Sequence, residues 1–477
     1  MALSQRGREW AKLGPDMLIW KILQDLWDPE TNPNGYISLG VAENALMHEE
    51  LSSYVHNNLK LPLKGLTYGD GGSGSKELRQ TMARFLNRKL HPAVPIKASH
   101  ICITNGVTTG IEHLSSILGD PGDAFLLGQP YYGAFPDDLG LRPGLEVVKV
   151  AFNNTDPLSL DAISAYETTI NRCHAKNQKV AGIMLCNPHN PLGRCYSRAF
   201  LVALMRLCNK HNIHLVSDEI YALSVFRTTD TTTPSSLTER PPPQLEPFTS
   251  LSSIPTESLI TPSHTHILYG LSKDFGANGI RLGAIISQHN PTLHSALIPV
   301  AINSYASSLA ESAATALLGD DVFTDWYIAE NQRRLRGSWE IVISWAEKWG
   351  VKYGGGVCAA FFLWVDLGEV YRRERPERSQ MKEQRKERGP HQAGLLVQEP
   401  VAAPVDTPSS HDDDDDDDDD DDIDQIVNDA LLSEKIFLAS GVGFGSEKPG
   451  WFRIVFSQKE EYLREGLRRI ERALGLS

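Results

Sequence analysis

Short apolar runs alternate with amphipathic stretches through the middle of the chain. Residues 101–104, 124–127, 180–185, 213–216, 266–269 and 283–287 are each of strand length and rich in aliphatic or β-branched side chains. Gly106 is followed by Ile111, Leu114 and Leu118 at helical spacing, and the apolar segment 199–208 lies between two of the strand-like runs. Buried strands separated by helices predict an α/β fold with a mostly parallel sheet covered on both faces. The C-terminal part reads differently, as a smaller α+β domain. There Ser457-Gln458-Lys459-Glu460 has the form of a capping box, and Leu463, Leu467, Ile470 and Leu474 make the stripe of a terminal helix.

Two segments break the pattern. Residues 228–263 are rich in Thr, Ser and Pro, with Pro241, Pro242 and Pro243 in a row, and read as a long surface connection. Residues 372–422 run from basic to Ala/Pro-rich to an unbroken run of aspartates at 412–422, and are expected to be disordered because blocks of like charge bury little apolar surface. A homopolymer lacks the spaced ligands of a calcium loop, so metal binding or docking of a basic partner is the lesser reading of the tail.

Charge and cysteine usage narrow the classes. The 477 residues carry a formal net charge of −14, of which the aspartate run supplies most, leaving the remainder near balance. Such a chain lacks the basic footprint of a nucleic-acid binder. Six scattered cysteines without a Cys-x-x-Cys pair exclude a zinc ribbon or disulfide framework. No stretch approaches the roughly 20 apolar residues of a membrane span, and the N-terminus has no apolar leader core, so a cytoplasmic protein is expected. His113, His189 and His211 have no metal-ligand spacing and read as structural or surface residues.

The candidate chemistry sits where strands end. Gly270-Leu271-Ser272-Lys273-Asp274-Phe275-Gly276, then Arg281-Leu282-Gly283, places a lysine just after an apolar run. In open α/β sheets that end is where ligands bind, and a lysine there can form a Schiff base if its neighbours lower its pKa. Ser217-Asp218-Glu219-Ile220-Tyr221 puts a carboxylate at the end of another run, and Asn187-Pro188-His189-Asn190-Pro191-Leu192-Gly193 makes a turn after a third. Taken singly, Asp218 also suits a helix N-cap, and the asparagines suit turns.

Taken in order, these segments resemble the fold-type I pyridoxal-phosphate enzymes, in the aminotransferase branch that contains the 1-aminocyclopropane-1-carboxylate (ACC) synthases. Leu39-Gly40-Val41-Ala42-Glu43-Asn44, Leu66-Thr67-Tyr68-Gly69, Thr104-Asn105-Gly106-Val107-Thr108, Pro130-Tyr131-Tyr132 and Gly450-Trp451-Phe452-Arg453 extend the match. The resemblance implies a segment 1–45 packed with the small domain, a large cofactor-binding domain 46–305 and a small domain 306–477 interrupted at 372–422. It implies that Lys273 carries pyridoxal 5'-phosphate as a Schiff base and shuttles the Cα proton, and that Asp218 pairs with the pyridine nitrogen. Tyr221 and Asn190 would tune the ring oxygen, and Tyr132 would stack on the ring. Arg281, Ser272, the amides of Val107 and Thr108, and Tyr68 from a second subunit would hold the phosphate. Arg453 would clamp the substrate carboxylate, with Glu43 and Asn190 beside it.

A homodimer with shared sites, acting on an amino acid and possibly a 2-oxo acid, follows from the resemblance. Two departures stand out. Position 270 is glycine where the family usually has a phosphate-binding serine, and no tyrosine precedes Tyr36, where ACC synthases place one that faces substrate. Transamination is therefore the leading expectation, with a carbon–sulfur lyase or ACC-synthase-like elimination as the alternative. A cofactor-free binding or regulatory relative is the alternative from another class.

Overall fold

The computed structural model describes residues 2–13, 18–227, 237–238, 245–376 and 421–476. A short strand, β1 (Ile37–Ser38), precedes the main sheet. That sheet has seven strands: β2 (Ile101–Thr104), β3 (Ala124–Gly128), β4 (Glu146–Val150), β5 (Val180–Cys186), β6 (His214–Asp218), β7 (Thr265–Gly270) and β8 (Gly283–Ile286), in the order β2-β8-β7-β6-β5-β3-β4. β4, β3, β5, β6 and β7 pair in parallel, and β8 alone runs antiparallel to both its neighbours.

Alternate residues of each central strand go to opposite faces, and both faces are apolar. Ile103, Leu126, Ile183, Leu215, Tyr269 and Ala284 join one core cluster, while Cys102, Leu127, Met184, Val216, Leu268 and Ile285 join the other. That two-sided burial is why these strands read as continuous apolar runs instead of alternating ones. β4 escapes such a reading because it is the edge strand, with Glu146 and Lys149 turned to solvent.

A smaller antiparallel sheet is built from β9 (Lys352–Tyr353), β10 (Phe362–Asp366), β12 (Ala439–Ser440) and β13 (Trp451–Val455) in the order β12-β13-β10-β9. β11 (Ile436–Phe437) pairs in parallel with β1, tying the N-terminal segment to this part of the molecule. The 29-residue helix Asp321–Trp349 joins the two sheets: Tyr327 and Ile328 sit in one core, Leu335 and Trp339 in the other. Among the described residues, no helix is long and apolar enough to cross a membrane.

Several expectations need correction. The terminal helix Glu460–Leu474 buries Leu463, Leu467, Ile470 and Leu474, but no capping box starts it: Lys459 is the N-cap without a side-chain cap, and the Ser457 hydroxyl donates to the Glu43 carbonyl at 2.7 Å. Within 228–263, the described second half is not a surface connection, since Leu251, Ile254 and Ile260 are buried against the sheet. Arg372 and Arg373 lie in the last turn of the helix Leu367–Glu374, where basic side chains favour the carbonyl end, and Arg373 caps the carbonyls of Trp349 and Gly350. Residues 377–420 of the acidic insertion lie outside the described residues. The helix Ser308–Gly319, read from sequence as part of the smaller domain, packs through Ala310, Ala314 and Leu317 into the core shared with Lys76–Leu90.

Candidate active site

The parallel strands end on one side of the sheet, and the chemistry-bearing residues gather there. β5 ends at Cys186 and leads into the Asn190 turn, β6 ends at Asp218, and β7 ends at Gly270. Because β8 returns antiparallel beside β7, the chain between Gly270 and Gly283 stays at this end and carries Lys273 and Arg281 with it. Backbone topology alone thus brings four of the expected residues together.

Asp218 is buried, accepts the Ile220 amide at 3.2 Å, and has its carboxyl pushed up to about 7 by burial. Lys273 points its Nζ to the Ala42 carbonyl at 2.5 Å. Burial and then the charge of Arg453 lower its ammonium to about 8, while Glu43 and Asp218 oppose that shift. Tyr221 is buried edge-on to Phe361 and Phe362, each at 5.3 Å between ring centres. The half-buried Tyr132 meets Phe135 edge-on at 5.2 Å, and burial raises its phenol to about 12.

Arg453 comes from the smaller sheet. Its guanidinium donates to Asn190 Oδ1 at 2.8 Å and to the Gly40 carbonyl at 2.5 Å, and it lies 4.5 and 4.7 Å from the rings of Phe362 and Phe444. Burial lowers it to about 10. Its Nε and the Nδ2 of Asn190 are buried without a hydrogen-bond partner. A fold rarely leaves such donors unpaired inside unless a ligand completes them.

At the same end of the sheet, Gly106 (φ 82°) caps the helix Val107–Leu118, so the amides of Val107 and Thr108 start a helix and have no carbonyl one turn earlier to bond. Arg281, itself left-handed at φ 55°, lays its guanidinium over Gly106; a Cβ there would sit 2.4 Å from Nη2. This is a cation beside a helix N-terminus, a cradle for an anion. Gly270 also has a physical cause. A Cβ at this position would meet the Leu282 carbonyl oxygen at 2.8 Å, so the serine usual in the family does not fit this turn. Ser272 is buried in the same turn. Tyr68 stands apart, 87% exposed beside the exposed Leu63 and Leu66.

The sequence reading missed the supports. Asn44 Nδ2 donates to Asn331 Oδ1 at 2.9 Å and to the Lys273 carbonyl at 3.4 Å, while Asn331 donates to the Asp274 carbonyl at 3.4 Å. Asp274 accepts from the Leu223 amide, Ser224 and Tyr269. Asn44 lay inside a recognised motif, whereas nothing around Asn331 signalled its role. Asp138 was missed too; burial and then Asp218 push its carboxyl up to about 7. Asn187 is a turn former, bonded to the Thr249 carbonyl and the Tyr196 amide. His189 is buried, and burial holds it down to about 3. Among the described residues, no group of three or more His, Cys, Asp or Glu is placed to hold a metal ion.

The donor set fits pyridoxal phosphate: a buried carboxyl for a ring N–H, unpaired Asn190 and Arg453 donors for anionic oxygens, an amine of lowered pKa, and an anion cradle. Comparison with known proteins points the same way. The family model for class I and II aminotransferases matches residues 36–470. Rice 1-aminocyclopropane-1-carboxylate synthase 6 is 29% identical over 73% of the chain, a match that spans 64% of that protein's length. Mouse 1-aminocyclopropane-1-carboxylate synthase-like protein 1 is 29% identical over 94% of the chain and 78% of its own length. A tryptophan complex of a Thermus thermophilus aspartate aminotransferase mutant superposes with a TM-score of 0.68 at 19% identity, covering 99% of this chain and 100% of that one.

Proposed function

The chain belongs to the class I and II aminotransferases, in their ACC-synthase-like branch of pyridoxal-phosphate-dependent enzymes, and from that membership we propose that it binds pyridoxal phosphate and transaminates an amino acid. The observation that carries the reading is Lys273, an amine lowered to about 8 and faced by Asp218, Glu43 and Arg453. Pyridoxal phosphate, when bound, supplies an electron sink for the charge left at Cα. The residues do the rest. Asp218 accepts the ring N–H, and Asn190 and Tyr221 donate to the ring oxygen. Arg281, Ser272 and the amides of Val107 and Thr108 hold the phosphate. Arg453 grips the substrate carboxylate. Lys273 Nζ, neutral above about pH 8, takes the Cα proton and returns it, the one-base traffic that transamination requires.

A second reading rests on Glu43. A carboxylate facing Lys273 is an additional group of the kind an ACC-synthase-like elimination uses, and the rice relative bears that name. Incubating the chain with pyridoxal phosphate, a panel of amino acids and 2-oxo acids separates the two. Product formation that needs the 2-oxo acid supports transamination. Release of thiol or ACC without an acceptor supports elimination. Neither product, with no bound cofactor, returns the chain to the binding-module class.

The same reading makes the chain a homodimer, because Tyr68 with Leu63 and Leu66 presents an apolar, exposed patch that a second copy would cover. It also sets apart the segment 1–45, supported by the pairing of β1 with β11, from a large domain that starts at 46 and takes in the helix Ser308–Gly319, with the small domain after it. Six unbridged cysteines suit a reducing compartment, here the cytoplasm.

A further inference from the structure

All six cysteines are buried and unbridged, and two of them pack together. Cys195 and Cys358 pack in a small buried cluster with Ala359, and the Cys358 thiol donates to the Glu246 carbonyl at 4.0 Å. Cys195 follows the turn that carries Asn190, whereas Cys358 precedes β10, which belongs to the smaller sheet. The backbone holds them in place. The amides of Cys358 and Ala359 both donate to the Gly193 carbonyl, at 2.9 and 3.0 Å, and the Cys358 carbonyl accepts from Phe226 at 3.0 Å.

We propose that Cys195 and Cys358 are a thiol–disulfide site that takes a small hydroperoxide as oxidant, and that its closure staples the Asn190 turn to the segment bearing Phe361 and Phe362. The two thiols are unequal in the way such a site needs. Contact with Cys195 lowers Cys358, helped by the Cys195 backbone and by the charges of Arg194 and Arg227, while the same contact raises Cys195. Burial raises the four other thiols instead. A cleft of about 350 Å³ between the two sheets is lined by Leu192, Arg194, Gly354 and Gly355, and so reaches the residue before Cys195.

The chemistry balances. The Cys358 thiolate attacks a peroxide oxygen, the O–O bond breaks, and the alcohol or water that leaves takes the proton. Cys358 is then a sulfenic acid. The Cys195 sulfur attacks the Cys358 sulfur, the S–O bond breaks, and the hydroxyl leaves as water with the Cys195 proton. Two thiols and one hydroperoxide give one disulfide, one alcohol and one water, with the peroxide reduced by two electrons.

The stapled junction is crossed by the Arg453–Asn190 hydrogen bond, so closure restrains the carboxylate clamp. The test treats the full-length holoenzyme with hydrogen peroxide, digests it with trypsin without reductant, and follows turnover before and after dithiothreitol. The expected result is that peptides 195–198 and 353–372 become joined with loss of two hydrogens, and that turnover falls and recovers on reduction. Cys195→Ala and Cys358→Ala each abolish both changes. Peptides that stay separate while Cys358 is overoxidised overturn the proposal, as does a turnover loss that persists in both variants or joined peptides with unchanged turnover. If either variant fails to fold, the peptide map of the unaltered chain decides alone.

Discussion

Asp218 ends β6 and Asp274 lies in the turn after the neighbouring β7; they are 4% and 1% exposed, and both have carboxyls pushed up to about 7 by burial. Their surroundings differ. Asp274 takes a backbone amide, a serine hydroxyl and a tyrosine hydroxyl, so the fold itself completes it. Asp218 takes the Ile220 amide alone among the described residues and faces Lys273 and Tyr132. Burial does not separate a working carboxylate from a structural one; unfilled hydrogen-bonding capacity does. Glu219, next to Asp218, falls between the two: Ser217 and the Leu251 amide both bond its Oε1, while its buried Oε2 is left without a hydrogen-bond partner.

Substitutions sharpen that comparison. The largest effect is expected for Lys273→Ala, which removes the only amine in the group and should lower turnover by roughly 10²- to 10⁴-fold with the fold intact, read by steady-state rates and circular dichroism. Asp218→Asn should come next, losing turnover without losing stability, since it removes a buried acid that the protein alone leaves incomplete. Asp274→Asn should do the reverse, costing about 1–3 kcal/mol in chemical denaturation because the amide keeps one acceptor oxygen and turns the other into an NH2 group facing donors. Equal stability losses in both variants would erase the distinction.

The pH dependence of the cofactor-free chain is a smaller effect. A carboxyl raised in the folded state contributes stability that is present at low pH and lost as pH rises through about 7. Thermal melts should therefore lose this contribution between pH 3.8, the ordinary carboxylate value, and about 7, and Asp218→Asn should lack that part of the slope. The histidines act in the opposite sense. Burial depresses His214 to about 4 and His266 further, so their contribution is lost as pH falls below the ordinary value of 6.5. The smallest effect is expected for Gly270→Ser, about 1 kcal/mol destabilising from the Leu282 contact, with no gain in affinity for pyridoxal phosphate in a titration.

Much of this was legible before the structure. The apolar runs of β2, β3, β5, β6, β7 and β8 are visible because both their faces are buried, and Lys273, Asp218 and Asn190 follow directly from where those runs stop. What sequence could not show depends on contacts across long separations. Asn44 meets Asn331 over 287 residues, and nothing local to either marks the pairing. The Cys195–Cys358 contact likewise joins two loops far apart in the chain. The crowding at Gly270 was likewise invisible, because the obstructing carbonyl comes from Leu282, on the far limb of the Lys273 turn. The apparent capping box misled because Ser457 is spent on the Glu43 carbonyl.

The central claim is that Lys273 is the residue that holds pyridoxal phosphate in a site finished by Asp218, Asn190 and Arg453. The direct measurement is reconstitution of the purified chain with pyridoxal phosphate, reduction with borohydride, and mass mapping of the modified lysine across pH. The account predicts modification at Lys273, with a rate that rises as pH passes through about 8, and none in Lys273→Ala. Modification spread over surface lysines at the higher pH of an ordinary amine, or none at all, would contradict it.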